Sequence, residues 1–158
     1  MLNEKLVILL KTTYEFFQNS SSCLGEEDSN FAPAEGMFTV AQQVAHVAQT
    51  IDWFFDGMFN PAGFDTNWDE HMKEVLKINS LTSARQWLKQ AVDRAIETVG
   101  SKSDDELFQT LPEGPIMGGV PRVIVINSMA DHIAHHRGAL TVYSRLLGKV
   151  PEMPYGDS

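Results

Sequence analysis

The chain has 158 residues, 43% of them hydrophobic and 21% charged, with one cysteine and a formal net charge of −9. That length buries a continuous apolar core without disulfides or structural metals, and the composition is that of a folded domain rather than a disordered segment. Lys and Arg are scattered instead of forming a stripe that could neutralise phosphates, which argues against a nucleic-acid partner, and no apolar run approaches the roughly 20 residues that a membrane helix requires.

One domain over residues 1–158 is therefore expected, with no nucleic acid and no membrane. Cys23 has no partner in the chain for a disulfide, and the opening Met1-Leu2-Asn3-Glu4-Lys5 lacks the basic, apolar and small-residue regions of a secretory signal. A cytoplasmic location is the expectation.

In chain order, Leu6, Leu9, Leu10, Tyr14 and Phe17 recur at helical spacing, which predicts an amphipathic helix over about residues 2–18 that ends in Asn19-Ser20-Ser21-Ser22. Residues 23–38 have no period and read as a long loop, of the kind that often serves a site. Thr39 is suited to cap a second helix that runs to about Phe59, where Asn60-Pro61 stops it. Its apolar face carries Val40, Val44, Val47, Ile51, Phe54, Phe55 and Met58. Residues 62–80 read as a connection with a short helix over about 69–78. A further long helix is expected over about 82–99, closed by Gly100 as a left-handed cap.

Ser103-Asp104-Asp105-Glu106 matches a capping box that opens a short helical turn. Residues 111–119, rich in Pro and Gly, form a turn-rich link, and Pro121 takes the first turn of a last helix that reaches Leu147 and stops at Gly148. Four substantial helices and no alternating strand pattern predict an all-α fold, a four-helix bundle with long connecting loops.

The last helix contains Asp131-His132-Ile133-Ala134-His135-His136-Arg137-Gly138. Residues four apart share a helix face, so His132 and His136 can share a ligand. With His132 at zero and about 100° per residue, Val125, Met129, Ala139, Tyr143, Leu146 and Leu147 fall within roughly 60° of it, and His136 lies near the middle of that stripe. Both imidazoles should point into the bundle, where unsatisfied ring nitrogens would cost on the order of 1–3 kcal/mol each. A shared metal removes that cost; the plainer alternative is that each ring bonds a neighbour. A third ligand must come from another helix, since a stable zinc-like site takes three protein ligands and a water. His46, midway along the second helix in Gln43-Val44-Ala45-His46-Val47, is the candidate. His71 in Trp68-Asp69-Glu70-His71 reads as exposed, and His135 as a neighbour of the site rather than a ligand.

A helix-two histidine followed much later by His132-x-x-His135-His136-Arg137-Gly138 resembles the DinB/YfiT-like family of metalloenzymes. The run Pro33-Ala34-Glu35-Gly36-Met37-Phe38-Thr39-Val40-Ala41-Gln42-Gln43-Val44-Ala45-His46 is similar to the opening of helix two in many members. The resemblance implies a four-helix bundle, frequently a homodimer, with a three-histidine site for a divalent transition metal such as zinc or nickel. By motif match the ligands are His46, His132 and His136. Many relatives carry Gln directly after His-His-Arg-Gly, where this chain has Ala139.

Some members of that family are thiol-dependent transferases or isomerases. The resemblance thus implies a metal-dependent enzyme with a small-molecule substrate and a low-molecular-weight thiol, with S-transfer as the leading reaction class. The alternative is a non-enzymatic metal or small-ligand binding protein, or a stress-associated protein acting through its dimer surface, because no general base stands out among the inward-facing residues. Trp53, Gln42, Gln49 and Tyr143 are further pocket candidates, and Cys23, a lone thiol, reads as inert.

Overall fold

The computed structural model describes residues 1–156. Among them are six α-helices and no named strand: α1 (Leu2–Ser21), α2 (Val40–Phe59), α3 (Trp68–Leu76), α4 (Leu81–Gly100), α5 (Asp104–Phe108) and α6 (Arg122–Leu146). The four long helices form a bundle in which α1 and α2 each pack against both α4 and α6. Pairs consecutive among the long helices, α1 with α2 and α4 with α6, are thus diagonal. A diagonal step cannot be made by a tight turn, which is why the chain spends residues 22–39 and 101–121 on the two crossings.

Local chemistry sets the helix ends. Thr39 accepts at Oγ1 from the Gln42 amide at 3.2 Å, while its own N–H donates to Gln42 Oε1 at 3.0 Å, a reciprocal cap that starts α2 where the sequence predicts. Ser103 and Glu106 do the same for α5. Gly148 has φ +74°, with its N–H on Arg145 O and the Lys149 N–H on Ser144 O, so α6 closes in the expected left-handed stop.

Gly100 corrects its expectation. It stays inside α4, and the helix ends instead at Ser101 in a right-handed conformation. The Asn3 side chain donates to the Gly100 carbonyl at 3.0 Å, so the terminal acceptor is satisfied from α1 and no left-handed residue is needed. The serines expected to end α1 also differ: Ser20 and Ser21 are helical and buried, with Ser21 Oγ donating to the Phe17 carbonyl.

The core is continuous. Phe17 of α1, Val44, Val47 and Ile51 of α2, Leu88 and Ala95 of α4, and Ile126, Ile133 and Leu140 of α6 are all buried in it. On α6 the buried residues are Val125, Ile126, Met129, Ile133, His136, Leu140, Tyr143 and Ser144. At about 100° per residue their centre lies about 70° round from His132, so the stripe is turned relative to the sequence expectation. Leu146, expected inside, is 61% exposed. The physical reason is that α6 packs on two neighbours, α1 and α2, and its buried face bisects them.

Leu140 has no exposed surface, whereas Ile8 on the outer side of α1 is 63% exposed. Urea unfolding of Leu140→Ala should show a loss of about 2–5 kcal/mol, from lost burial plus a residual cavity. Ile8→Ala should stay within about 0.5 kcal/mol of the parent. Equal effects at the two positions would contradict this packing.

Candidate metal centre

α2 and α6 lie side by side, and their seam brings together the three histidines singled out in the sequence. His46 comes from α2; His132 and His136, one turn apart, come from α6. Ring centroids are 4.5 Å apart for His132 and His136, 4.9 Å for His46 and His136, and 5.3 Å for His46 and His132. One ring nitrogen from each lies within 4.8 Å of the others. His136 is buried, His46 and His132 half-buried, and the Phe38 ring sits 5.3 Å from His46 at the end of the long loop.

Two of the triad's ring nitrogens are not satisfied by protein. Nδ1 of His46 and Nε2 of His132 are buried without a hydrogen-bond partner. Such orphaned groups cost about 1–3 kcal/mol each in an apolar surrounding, and a shared cation is what three convergent nitrogen donors fit. His136 is different, because its Nδ1 lies 2.6 Å from Gln43 Oε1. Gln43 in turn donates to the Tyr143 hydroxyl at 3.1 Å, and Tyr143 donates to the Phe38 carbonyl at 3.0 Å.

Charge on these rings is strongly disfavoured. Burial lowers the His46 pKa. Burial, then the neighbouring His46 and His135, bring His132 down to about 4 against a small opposing pull from Asp131. Burial followed by His132, His46 and His135 brings His136 to about 3. All three are therefore neutral at physiological pH, with lone pairs available for a cation. The cluster contains no carboxylate among the described residues.

The remaining candidates are placed elsewhere. His135 is exposed on α6, outside the triad. His71, expected to be exposed, is half-buried between the Trp53 and Trp68 rings, with Nε2 3.4 Å from Asp65 Oδ2. The reason is that α3 folds down on α2 and carries the ring inward. Trp53 and Gln49 line a separate cavity of about 590 Å³ between α2, α3 and α4, and Gln42 is committed to the α2 cap and to the Leu76 carbonyl. Of the four pocket candidates only Tyr143 reaches the triad, through Gln43. Gln43 itself was missed, although its place one turn before His46 on the same helix was a usable signal.

A helical bundle whose facing helices direct imidazoles into one seam is an architecture that builds metal sites from side chains. The chain belongs to the DinB family, whose model matches residues 14–158. Among solved structures it is similar to a DinB-like protein from Bacillus cereus ATCC 10987, with a TM-score of 0.74 and 20% identity over 94% of this chain and 95% of that one. It is also similar to the colibactin self-resistance protein ClbS in complex with double-stranded DNA, with a TM-score of 0.69 and 15% identity over 90% of this chain and 95% of that one. No curated protein matches the chain. These likenesses establish the fold. No helix among the described residues is long and apolar enough to cross a membrane.

The lowered pKa values make the stability of the metal-free protein depend on pH. Ordinary histidines take up a proton near pH 6.5, the folded His132 and His136 only near 4 and 3. Between these values the unfolded chain binds more protons, so stability is full above pH 6.5 and falls as the pH drops toward 4. The urea midpoint of metal-free protein should be higher at pH 7 than at pH 5, and the difference should shrink in His132→Asn/His136→Gln. An unchanged difference would refute this assignment.

Proposed function

We propose that His46, His132 and His136 hold one divalent transition metal, zinc or nickel, and that the chain is a metal-dependent enzyme acting on a small molecule. The observation that carries this reading is the convergence of three imidazoles, with a buried nitrogen on His46 and another on His132 that no protein group satisfies. Three protein nitrogens leave a coordination position open, as catalytic zinc sites do and structural sites do not. When bound, the ion supplies Lewis acidity that lowers the pKa of a coordinated water or thiol. What the chain contributes is three donors converging from two packed helices, and Phe38 packed against His46. Thiol-dependent S-transfer, using a low-molecular-weight thiol, is the reaction class to test first. The free Cys23 suits a reducing, cytoplasmic setting.

One observation favours a second reading, non-enzymatic metal binding: no carboxylate stands in the cluster to serve as general base. Turnover of small electrophiles with thiols, lost on His132→Ala, separates the two; metal binding without any turnover supports the second.

Homodimer formation belongs to the same proposal. Ile124, Val142 and Leu146 are each at least half-exposed on α6 and lie on one side of it, an apolar stripe suited to a second copy. Light scattering that shows monomer at all micromolar concentrations would remove this part.

Metal content measured after dialysis against a weak chelator tests the ligand set. His46→Ala, His132→Ala and His136→Ala should each lose bound metal, because two imidazoles remain. His71→Ala and His135→Ala should retain it. Loss in His135→Ala with retention in His136→Ala would overturn the assignment.

A further inference from the structure

The hydrogen bonds beside the triad have a direction, set at one end by a group that can only accept. Tyr143 has a single hydroxyl proton, and it lies on the Phe38 carbonyl at 3.0 Å. The Tyr143 oxygen is then left as an acceptor, so it is the amide nitrogen of Gln43 that faces it at 3.1 Å. The other end of that amide, Oε1, has no proton to give, and it lies 2.6 Å from His136 Nδ1. Nδ1 therefore carries the proton. In a neutral imidazole Nε2 is then bare.

We propose that Gln43 and Tyr143 are positioning residues that hold His136 in its Nδ1–H tautomer and so leave the Nε2 lone pair free for a ligand shared with His46 and His132. The tautomer belongs to the metal-free protein; only its consequence for metal affinity rests on the metal reading above.

The reverse arrangement is disfavoured by the same groups. Turning the Gln43 amide round would place its carbonyl against Tyr143 and draw the hydroxyl proton off Phe38, whose carbonyl would lose its donor. Gln43, Tyr143 and His136 are 8%, 2% and 8% exposed, so water is poorly placed to repair the loss. A second proton, on Nε2, would find no carboxylate in the triad to accept it. The spacing is built into the two helices. Gln43 stands one turn before His46 on α2, and Tyr143 two turns after His136 on α6, so the relay spans the same seam as the triad. It ends on Phe38, whose ring also packs on His46, so one loop residue supports both helices of the site.

The test is long-range 1H–15N correlation of the histidine rings in metal-free protein at pH 7.5, with zinc titration alongside. His136 should show a protonated Nδ1 and a bare Nε2. Gln43→Glu keeps an acceptor and should retain that pattern, whereas Gln43→Leu removes it and should shift the ring toward the Nε2–H form. Tyr143→Phe frees the amide to turn and should give a mixture. Zinc affinity should fall about 10- to 100-fold in Gln43→Leu and much less in Gln43→Glu, a rescue that a purely packing role would not produce. A protonated Nε2 on His136 in the parent, or a tautomer unchanged in both Gln43→Leu and Tyr143→Phe, overturns the proposal. If the parent binds no zinc yet shows the Nδ1–H form, the metal reading fails and this one stands; zinc binding with Nε2–H in the metal-free protein is the reverse.

Discussion

Three imidazoles share one apolar seam between α2 and α6, and the need to satisfy their nitrogens there without charge constrains everything around them. Burial removes the cationic form, so each ring enters the seam with one donor and one acceptor nitrogen. Protein groups answer part of that demand: Gln43 meets His136 Nδ1. Nitrogens of His46 and His132 are left facing no protein partner. The cost of leaving such nitrogens beside Val, Ile and Leu is borne by the surrounding apolar packing.

That packing depends on the way the helices are connected. Because α1 is diagonal to α2, the chain must cross one end of the bundle, and the crossing loop is pinned at many points rather than left loose. Val40 and Ala41 donate their first-turn amides to the Phe31 and Ser29 carbonyls. Ser29 Oγ accepts from the Leu81 amide, Glu26 accepts from Thr82 at the start of α4, and Lys149 pairs with Asp28 from beyond α6. The loop is thereby tied to α2, α4 and the segment after α6. Its last residues then deliver Phe38 to the histidine seam and Thr39 to the α2 cap, so one connection sets both the start of α2 and the cover over His46.

The solved structures that resemble this one share 20% and 15% of its residues over nearly the full length. What persists at such identity is the helical framework, and chemistry is written onto it by a few side chains. Here those side chains cluster on two facing helices, at positions one or two turns apart. The acidic surface supplies no member of that triad: it contains no carboxylate, and ion pairs such as Lys73–Glu70 and Lys89–Asp93 are exposed. Net charge therefore describes the solvent side of the protein rather than the seam.

The all-helical class, the Thr39, Ser103 and Gly148 boundaries and the pairing of His132 with His136 were legible in the sequence, because periodicity and capping act over three to four residues and need no partner. The same rule brought His46 into view only as a candidate, since nothing local says which face of α2 meets which face of α6. The tertiary structure decided that. It turned the buried stripe of α6 toward Ile133 and Leu140 and left Leu146 outside, because a helix in a bundle buries the face between its two neighbours. It folded α3 onto α2 and drew His71 inward. It satisfied the end of α4 from Asn3, 97 residues away, in place of a glycine turn. Gln43 shows the division most clearly: its position beside His46 is local, but its role is defined by groups on α6 and on the crossing loop, and such hydrogen bonds exist only once the helices have packed.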